Sequence, residues 1–222
     1  MDSSSLKHPI LIASWVGFVI LAVMASLENI QLFALDRQSL NYLGHFITVQ
    51  RTEIFKTVAT ISAPAVIILL SLGLSLVLWH SKQFFESLAA LTMTVTGNLV
   101  GFLIKLLVQR PRPTTMLVNA SGYSFPSGHV VSATIFVFVM FLFGIKLIRS
   151  VRVQLFTAMV LIFWLALVAI SRVYLQVHYP SDVIGGGLFS LLWCDTILVA
   201  FRRSQTNLER LIINKRGIDH ES

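Results

Sequence analysis

The stretch VQLFTAMVLIFWLALVAISRVY, residues 153–174, is apolar over nearly its whole length, and Arg172 is its only charged side chain. A helix of about 20 apolar residues crosses a hydrocarbon core about 30 Å thick, so this stretch predicts a membrane-spanning helix. Five further apolar runs have the same character and occur at residues 9–27, 58–79, 85–108, 130–147 and 183–201. Together the six runs predict an all-α, polytopic membrane protein with six transmembrane helices in a bundle.

The composition of the whole chain indicates the same class. Of the 222 residues, 55% are hydrophobic and only 12% are charged, and the mean hydropathy is +0.79. Because an average soluble domain carries roughly 25% charged residues, these values exclude a cytosolic globular protein and a disordered tail. Six spans with their loops account for the length, so we expect a single domain over residues 1–222. The single cysteine, Cys194, excludes an intrachain disulfide and a cysteine-based metal site.

The basic residues predict the orientation in the membrane. The short segment between the fourth and fifth runs contains Lys146, Arg149 and Arg152, and the C-terminal tail is also basic. Because short cytoplasmic loops are enriched in Lys and Arg, we expect both termini in the cytoplasm. The formal net charge of +7 is therefore interpreted as an orientation signal, and no nucleic-acid partner is expected.

The first outer loop, residues 28–57, mixes apolar residues with scattered charges. Such a pattern is typical of an amphipathic helix that lies in the outer membrane interface. It is equally typical of a folded cap that covers the other outer loops. The cap is the interpretation that we favour.

The first of three polar clusters on the outer side is KLLVQRPRP, residues 105–113, where the third span leaves the membrane. Its two prolines stop the helix, which turns the side chains of Arg110 and Arg112 into the loop. These arginines and Lys105 either extend to the interface as solvated cations or bind an anion. Anion binding gains support because the orientation rule depletes this side of positive residues.

The second cluster is FPSGH, residues 125–129, directly before the fourth span. Ser127 and Gly128 at a helix start offer a hydroxyl, free backbone N–H groups and the positive end of the helix dipole, which together form an anion site. A helix N-cap explains Ser127 equally well. It does not explain His129, whose protonated form is disfavoured beside a helix N-terminus unless an anion is bound.

The third cluster is SRVYLQVHYPSD, residues 171–182, between the fifth and sixth spans. The spacing of His178 and Asp182 lets the carboxylate accept a hydrogen bond from one ring nitrogen, which leaves the other as a nucleophile or base. Alternatively, Asp182 is only the N-cap of the sixth span. Arg172, at the end of an apolar helix, needs an anionic partner or water.

The three clusters together supply cations, an N–H-rich helix start, two histidines and one orienting carboxylate. Phosphoryl transfer uses this set of groups. Cations and N–H donors neutralise the phosphate oxygens, one histidine attacks phosphorus, and the other protonates the leaving oxygen. This scheme needs no metal ion.

The order of the motifs resembles a known family. Lys-x6-Arg-Pro, Pro-Ser-Gly-His and Ser-Arg-x5-His-x3-Asp, spread over residues 105–182, are similar to the three-part signature of the type 2 phosphatidic acid phosphatase superfamily. The same superfamily includes vanadium haloperoxidases and bacterial acid phosphatases. The resemblance implies that His178 is the nucleophile, that Asp182 holds its ring and that His129 is the general acid. The residues that it implies as ligands of the phosphate oxygens are Lys105, Arg112, Ser127, Gly128 and Arg172.

The resemblance also implies an activity and a location. The expected protein is a metal-independent membrane phosphatase with an extracytoplasmic site and no cofactor, and its substrate is a lipid phosphate or pyrophosphate. Phosphatidylglycerophosphate, undecaprenyl pyrophosphate and phosphatidate all fit, and neither the lipid nor the oligomeric state is decided. The alternatives are a lipid transporter or flippase, in which Arg172, Asp182 and Asp195 mark a polar route, and a non-catalytic anion-binding membrane protein.

A few residues near the clusters are expected to have lesser roles. Arg110 is outside the signature and is given only a supporting or substrate-contact role. Asp195 lies about 20 Å from Asp182 along a helix, too far to join the same site. Asn98 is expected to hydrogen-bond to a neighbouring helix. Close helix approach is expected at Gly97, Gly101, Gly185, Gly186 and Gly187.

Overall fold

The computed structural model describes the backbone of residues 3–218 and the side chains of residues 11–204. All regular secondary structure in this part of the chain is helical, which confirms the predicted fold class. The eight α-helices are α1 (Ser3–Ser26), α2 (Ile30–Gly44), α3 (Val49–Ile61), α4 (Pro64–His80), α5 (Phe84–Val108), α6 (Gly128–Val139), α7 (Val151–Tyr174) and α8 (Pro180–Ile218). A π-helical turn, Met140–Gly144, and a 3-10 turn, Ile145–Leu147, continue α6.

Four of these helical segments are long and apolar enough to cross a membrane: α5, α6 with its continuation, α7, and α8 as far as Ser204. Two bent pairs pass the same test when each pair is taken together, α1 with α2 at an angle of 81° and α3 with α4 at 43°. The protein is therefore a multi-pass membrane protein with four to six candidate spans.

Two of the predicted runs differ from the helices that form. The run at residues 58–79 is not one helix, because α3 ends at Ile61 and α4 begins at Pro64. Proline lacks the N–H that a helix needs, and the residue before it avoids helical backbone, so Ala63 adopts an extended ψ of 139°. The run at residues 183–201 is only the middle of α8, which begins at Pro180 and continues to Ile218.

Small residues let the helices of the bundle approach closely. A Cβ atom on Gly97 of α5 would lie 2.7 Å from Cδ1 of Ile135 in α6 and 3.1 Å from Cδ1 of Trp193 in α8. Both distances are shorter than an optimal contact of about 3.5–4.0 Å between carbon atoms. Asn98 accepts a hydrogen bond from Oγ of Ser132 in α6 at 2.6 Å. The predicted roles of Gly97 in helix approach and of Asn98 as an interhelical partner are thus confirmed.

The segment at residues 28–57, which we call the cap, packs on the helices of the bundle. Its helices α2 and α3 both pack against α7, and α2 also packs against α8. Leu40 of α2 is buried with Val173 and Tyr179, and the hydroxyl of Tyr174 accepts a hydrogen bond from the N–H of Thr48 at 3.1 Å. The cap therefore rests on the segment that joins α7 to α8, where the third polar cluster lies.

Candidate active site

The three polar clusters meet at one end of the bundle, around a single cavity of about 870 Å³. Six of the eight predicted site residues line this cavity: Lys105, Arg112, Gly128, His129, Arg172 and His178. The other two, Ser127 and Asp182, are buried directly behind the lining residues. The structure thus brings together all the residues that the sequence analysis selected.

The turn between α7 and α8 presents His178 to the cavity. His178 is only 2% exposed, and its Nε2 lies 3.2 Å from Nη1 of Arg112. Because a guanidinium group can only donate hydrogen bonds, Nε2 must offer its lone pair there. The ring proton is therefore on Nδ1, which faces Oδ2 of Asp182 at 3.5 Å. This tautomer leaves Nε2 as the nucleophilic atom.

The protonation of His178 depends mainly on its burial. Burial lowers the pKa of His178 to about 4, and the Asp182 carboxylate opposes this shift without overcoming it. Neutral imidazole is the form that can attack phosphorus, since a protonated Nε2 has no lone pair. His178 therefore stays in its nucleophilic form well below neutral pH.

Asp182 is held by hydrogen bonds to both of its carboxylate oxygens. Its Oδ2 accepts the N–H of Tyr179 at 2.9 Å, and its Oδ1 accepts Nη1 of Arg110 at 2.7 Å. Asp182 lies in the first turn of α8 and bonds back to the residue before the helix, as the acidic residue of a capping box does. It is not the N-cap residue itself, as the alternative interpretation held, and its capping bond leaves it facing His178.

Arg110 lies elsewhere than predicted. The prolines do end α5, with Gln109 in the left-handed region at φ 53°, but Arg110 is only 2% exposed and does not line the cavity. It forms ion pairs of 2.7 Å with Asp182 and with Asp36 of the cap. Burial lowers the pKa of Arg110, but the two carboxylates outweigh it and raise the pKa. A role of Arg110 in direct substrate contact is therefore wrong, and its role is a supporting one.

Asp36 is the site-related residue that the sequence analysis missed. It is 3% exposed, although it belongs to the outer segment at residues 28–57. A signal for its burial is present in the sequence, because Asp36 shares a helix face with the apolar Phe33 and Leu40. Its partner Arg110 is 74 positions away in the chain, and no local pattern indicates that pairing.

Two of the predicted phosphate ligands are anchored by backbone carbonyl groups of the α5–α6 and α7–α8 loops. Nζ of Lys105 donates to the carbonyl of Tyr123 at 2.9 Å. Arg112 donates to the carbonyl of Ser121 at 3.1 Å and to that of Val177 at 2.7 Å. Burial lowers the pKa of Arg112, but an arginine remains charged in proteins. These carbonyl groups hold both cations in the wall of the cavity that His178 also lines.

The N-terminus of α6 forms another wall of the cavity. Ser127 is the N-cap residue, but its Oγ makes no capping bond and is buried without a hydrogen-bond partner. The N–H of Ser127 donates to the carbonyl of Asp182 at 3.0 Å, which joins the second cluster to the third. His129 lies against the backbone carbonyl of Ala59 in α3.

Arg172 supplies a third cation at the end of α7. Its side chain is buried and lines the cavity, and its Nε has no hydrogen-bond partner. Asp195, by contrast, is exposed on α8 and is not among the lining residues. Arg172, Asp182 and Asp195 therefore do not form the continuous polar route that a transporter would need.

Comparison with known proteins identifies the family. The PAP2 superfamily is matched over residues 86–206, which is more than half of the chain and contains all three clusters. The chain belongs to the PAP2 superfamily. Within this superfamily, the chain is 34% identical over 116 residues to phosphatidylglycerophosphatase B of Bacillus subtilis and 35% identical over 90 residues to phosphatidylglycerophosphatase B of Haemophilus influenzae. These matches cover 50% and 39% of this chain, and 56% and 36% of the relatives' lengths.

Two solved structures share the fold. The PAP2-type phosphatidylglycerolphosphate phosphatase from Bacillus subtilis has a TM-score of 0.76 and 24% identity, over 87% of this chain and 96% of that one. LpxE of Aquifex aeolicus has a TM-score of 0.56 and 21% identity, over 74% of this chain and 94% of that one. At these identities the likeness is one of fold.

Proposed function

We propose that this protein hydrolyses the terminal phosphate of a lipid phosphate or pyrophosphate through a phosphohistidine intermediate. The observation that carries the proposal is the setting of His178, whose Nδ1 faces a carboxylate while Nε2 lies beside Arg112 in the wall of a cationic cavity. An imidazole held in this tautomer is a nucleophile for phosphorus. The matching arrangement of motifs in the PAP2 superfamily supports the same chemistry.

In the first step, Nε2 of His178 forms a bond to phosphorus while the bond from phosphorus to the leaving oxygen breaks. His129 gives a proton to that oxygen, and Asp182 stabilises the positive charge on the phosphorylated imidazole. In the second step, water attacks phosphorus and His129 takes its proton. The phosphorus–nitrogen bond then breaks, which releases inorganic phosphate and restores His178.

The charge on the phosphate is compensated by groups of the protein. The groups proposed to hold its oxygens are Lys105, Arg112, Ser127, Gly128 and Arg172. The unpartnered polar atoms of Ser127 and Arg172 support these roles, because a buried polar group normally has a hydrogen-bond partner. This chemistry requires no cofactor and no metal ion. Among the described residues, no group of three or more His, Cys, Asp or Glu could hold a metal, and metal independence remains a prediction.

The shape of the cavity supports a lipid as the substrate. Its lining combines the cations Lys105, Arg112 and Arg172 with apolar side chains, which include Ile68, Phe102 and Val131 of α4, α5 and α6. A phosphate can bind to the cations while the hydrocarbon tail contacts the apolar side chains. Because the curated relatives are phosphatidylglycerophosphatases, phosphatidylglycerophosphate is the first candidate, ahead of undecaprenyl pyrophosphate and phosphatidate. From the positive-inside rule we place the site on the extracytoplasmic side and both termini in the cytoplasm.

The test is phosphate release by the purified protein from these three lipids in detergent micelles. We expect release from at least one lipid, inhibition by vanadate, and no effect of a chelator. His178→Ala should lower kcat at least about a thousandfold and abolish acid-labile labelling by substrate phosphate. His45→Ala, which removes an exposed histidine of the cap, should change neither. Wild-type turnover by His178→Ala would refute the phosphohistidine route, and activity that a chelator removes and a metal restores would refute metal independence.

The transporter alternative predicts a different result. A flippase would move lipid across proteoliposome membranes without releasing phosphate, and it would continue to do so after His178→Ala. The exposed position of Asp195, away from the cavity, argues against this alternative.

A further inference from the structure

The cap helix α2 is joined to the active site by a buried network of charges. Asp36 accepts hydrogen bonds from the backbone N–H of Ser181 at 3.0 Å and from its hydroxyl. Arg110 bridges the two carboxylates, with Nη2 on Asp36 and Nη1 on Asp182, both at 2.7 Å. The guanidinium carbon also lies 4.2 Å from the centre of the Tyr179 ring. None of these groups is more than 5% exposed.

The formal charges of this network do not cancel. Two carboxylates and one guanidinium leave a net charge of −1, and the carboxylate nearest to the reaction is Asp182, beside Nδ1 of His178. Without Asp36, Arg110 would neutralise Asp182 alone. The negative charge that faces His178 therefore depends on a residue of the cap, although Asp36 lies outside the region that matches the superfamily.

We propose that Asp36 is a positioning residue for the reaction: it balances the positive charge of Arg110, so that Asp182 keeps its negative charge for His178. The proposal rests on the proposed function, because it concerns the step in which Nε2 bonds to phosphorus. In that step the imidazole, still protonated on Nδ1, becomes a cation. The electrons of the broken bond go to the leaving oxygen, which takes a proton from His129.

The competing explanation is that Asp36 and Arg110 only stabilise the fold. Variants that change the charge of the network in different ways distinguish the two explanations. Asp36→Asn keeps the shape of the side chain but changes the net charge of the network from −1 to zero. The double variant Asp36→Asn/Arg110→Gln loses both ion pairs, yet it returns the network to −1 through Asp182. If the pair only stabilised the fold, the second substitution would lower the activity further. If Asp36 acts through its charge, the second substitution should restore the activity.

The experiment measures kcat, the pH dependence of kcat/KM and the midpoint of thermal unfolding for these variants. We expect kcat of Asp36→Asn to fall about tenfold, as the loss of one charge near a partly buried site predicts. The acid limb of its pH profile, where kcat/KM falls as the pH decreases, should move to lower pH. The double variant should recover most of kcat and the wild-type limb. The control is Arg37→Gln, the exposed neighbour of Asp36 on α2, which should match the wild type.

Comparison between variants isolates the effect of the network on the acid limb. The charged and titratable groups that face His178 are Asp182, Arg112, Arg172 and His129, and all four are present in every variant. The ionisation of the substrate phosphate is likewise common to all of them. A displacement of the limb between variants therefore reports the charge of the Asp36–Arg110 pair.

The activities of the two variants can overturn the proposal. A double variant that folds but is no more active than Asp36→Asn would overturn it, and so would an unchanged kcat and acid limb in Asp36→Asn. If Asp36→Asn fails to fold, the double variant is compared with the wild type, and a tenfold loss of kcat there would overturn the proposal. If the double variant fails to fold, a shifted acid limb in Asp36→Asn supports the proposal, and an unshifted limb overturns the proposal. Absence of phosphate release by the wild type would instead refute the proposed function.

Discussion

Gly186 and Gly187 are neighbours in α8, and the structure predicts opposite effects when each is replaced by alanine. A Cβ atom at Gly186 would lie 3.1 Å from the carbonyl oxygen of Ser127 and 3.4 Å from Cβ of Val130. That carbonyl also accepts the N–H of Val131 at 2.9 Å, the first hydrogen bond of α6. At Gly187 no atom lies within 4 Å of the added carbon, so the close helix approach expected at this position is wrong.

The magnitudes follow from these distances. Ser127 must move by a few tenths of an ångström to admit the Gly186→Ala methyl group, and such overpacking costs about 1–3 kcal/mol. The start of α6 carries Gly128 and His129, so the same shift displaces proposed catalytic groups. Since a misplacement of about 1 Å can lower a rate about a hundredfold, we expect kcat/KM to fall about fivefold to tenfold. Gly187→Ala should instead stabilise α8 by roughly 0.5 kcal/mol.

The assay is thermal unfolding together with phosphate release, with both variants and the wild type in the same detergent. At roughly 3 °C per kcal/mol for a chain of this size, Gly186→Ala should lower the midpoint by several degrees, while Gly187→Ala raises it slightly and keeps full activity. An equal loss in both variants would refute the reasoning, because it would show that α8 requires glycine for its backbone and not for the approach of Ser127. Wild-type stability and activity in Gly186→Ala would refute it as well.

Four further measurements test the site and its surroundings. The acid limb of kcat/KM should extend to about pH 4, because burial lowers the pKa of His178 to about 4 from its ordinary 6.5; a limb near pH 6.5 in the titration would contradict this. His178 is protonated at a higher pH in the unfolded chain than in the folded protein. The free energy of unfolding should therefore fall as the pH decreases from about 6.5 to about 4. Denaturation at several pH values can measure this decrease. Lys56→Gln, at the rim of the cavity, should lower kcat/KM several-fold for lipids with a second phosphate and leave kcat/KM for phosphatidate unchanged. Equal losses of kcat/KM for the two kinds of lipid would show that Lys56 does not select for a second phosphate. Ser132→Ala removes the 2.6 Å hydrogen bond to Asn98 and should lower the unfolding midpoint by about 2 °C, whereas Ser39→Ala, on the exposed side of α2, should leave it unchanged.

Much of the site was predictable because its information is local. The spacing of His178 and Asp182 places a carboxylate beside an imidazole through a single turn and the first residues of α8. Pro111 and Pro113 end α5 by their covalent geometry, whatever surrounds them. The length and hydropathy of the runs indicate membrane helices because the bilayer imposes one thickness on every span.

Other features were decided by contacts between distant parts of the chain. Asp36 and Arg110 are joined only because the cap folds back over the turn between α7 and α8. The close approach of Gly186 to Ser127 depends in the same way on how α8 packs against α6.

The amino-acid sequence alone predicts the all-helical membrane fold and the eight residues of the candidate site. It does so because hydropathy, proline and motif spacing act over a few neighbouring positions. The packing of distant helices determines which charges face one another. It turns Arg110 away from the cavity and places Asp36 behind Asp182. A buried ion pair forms where packing brings two charges together and excludes water, and that position depends on the whole fold.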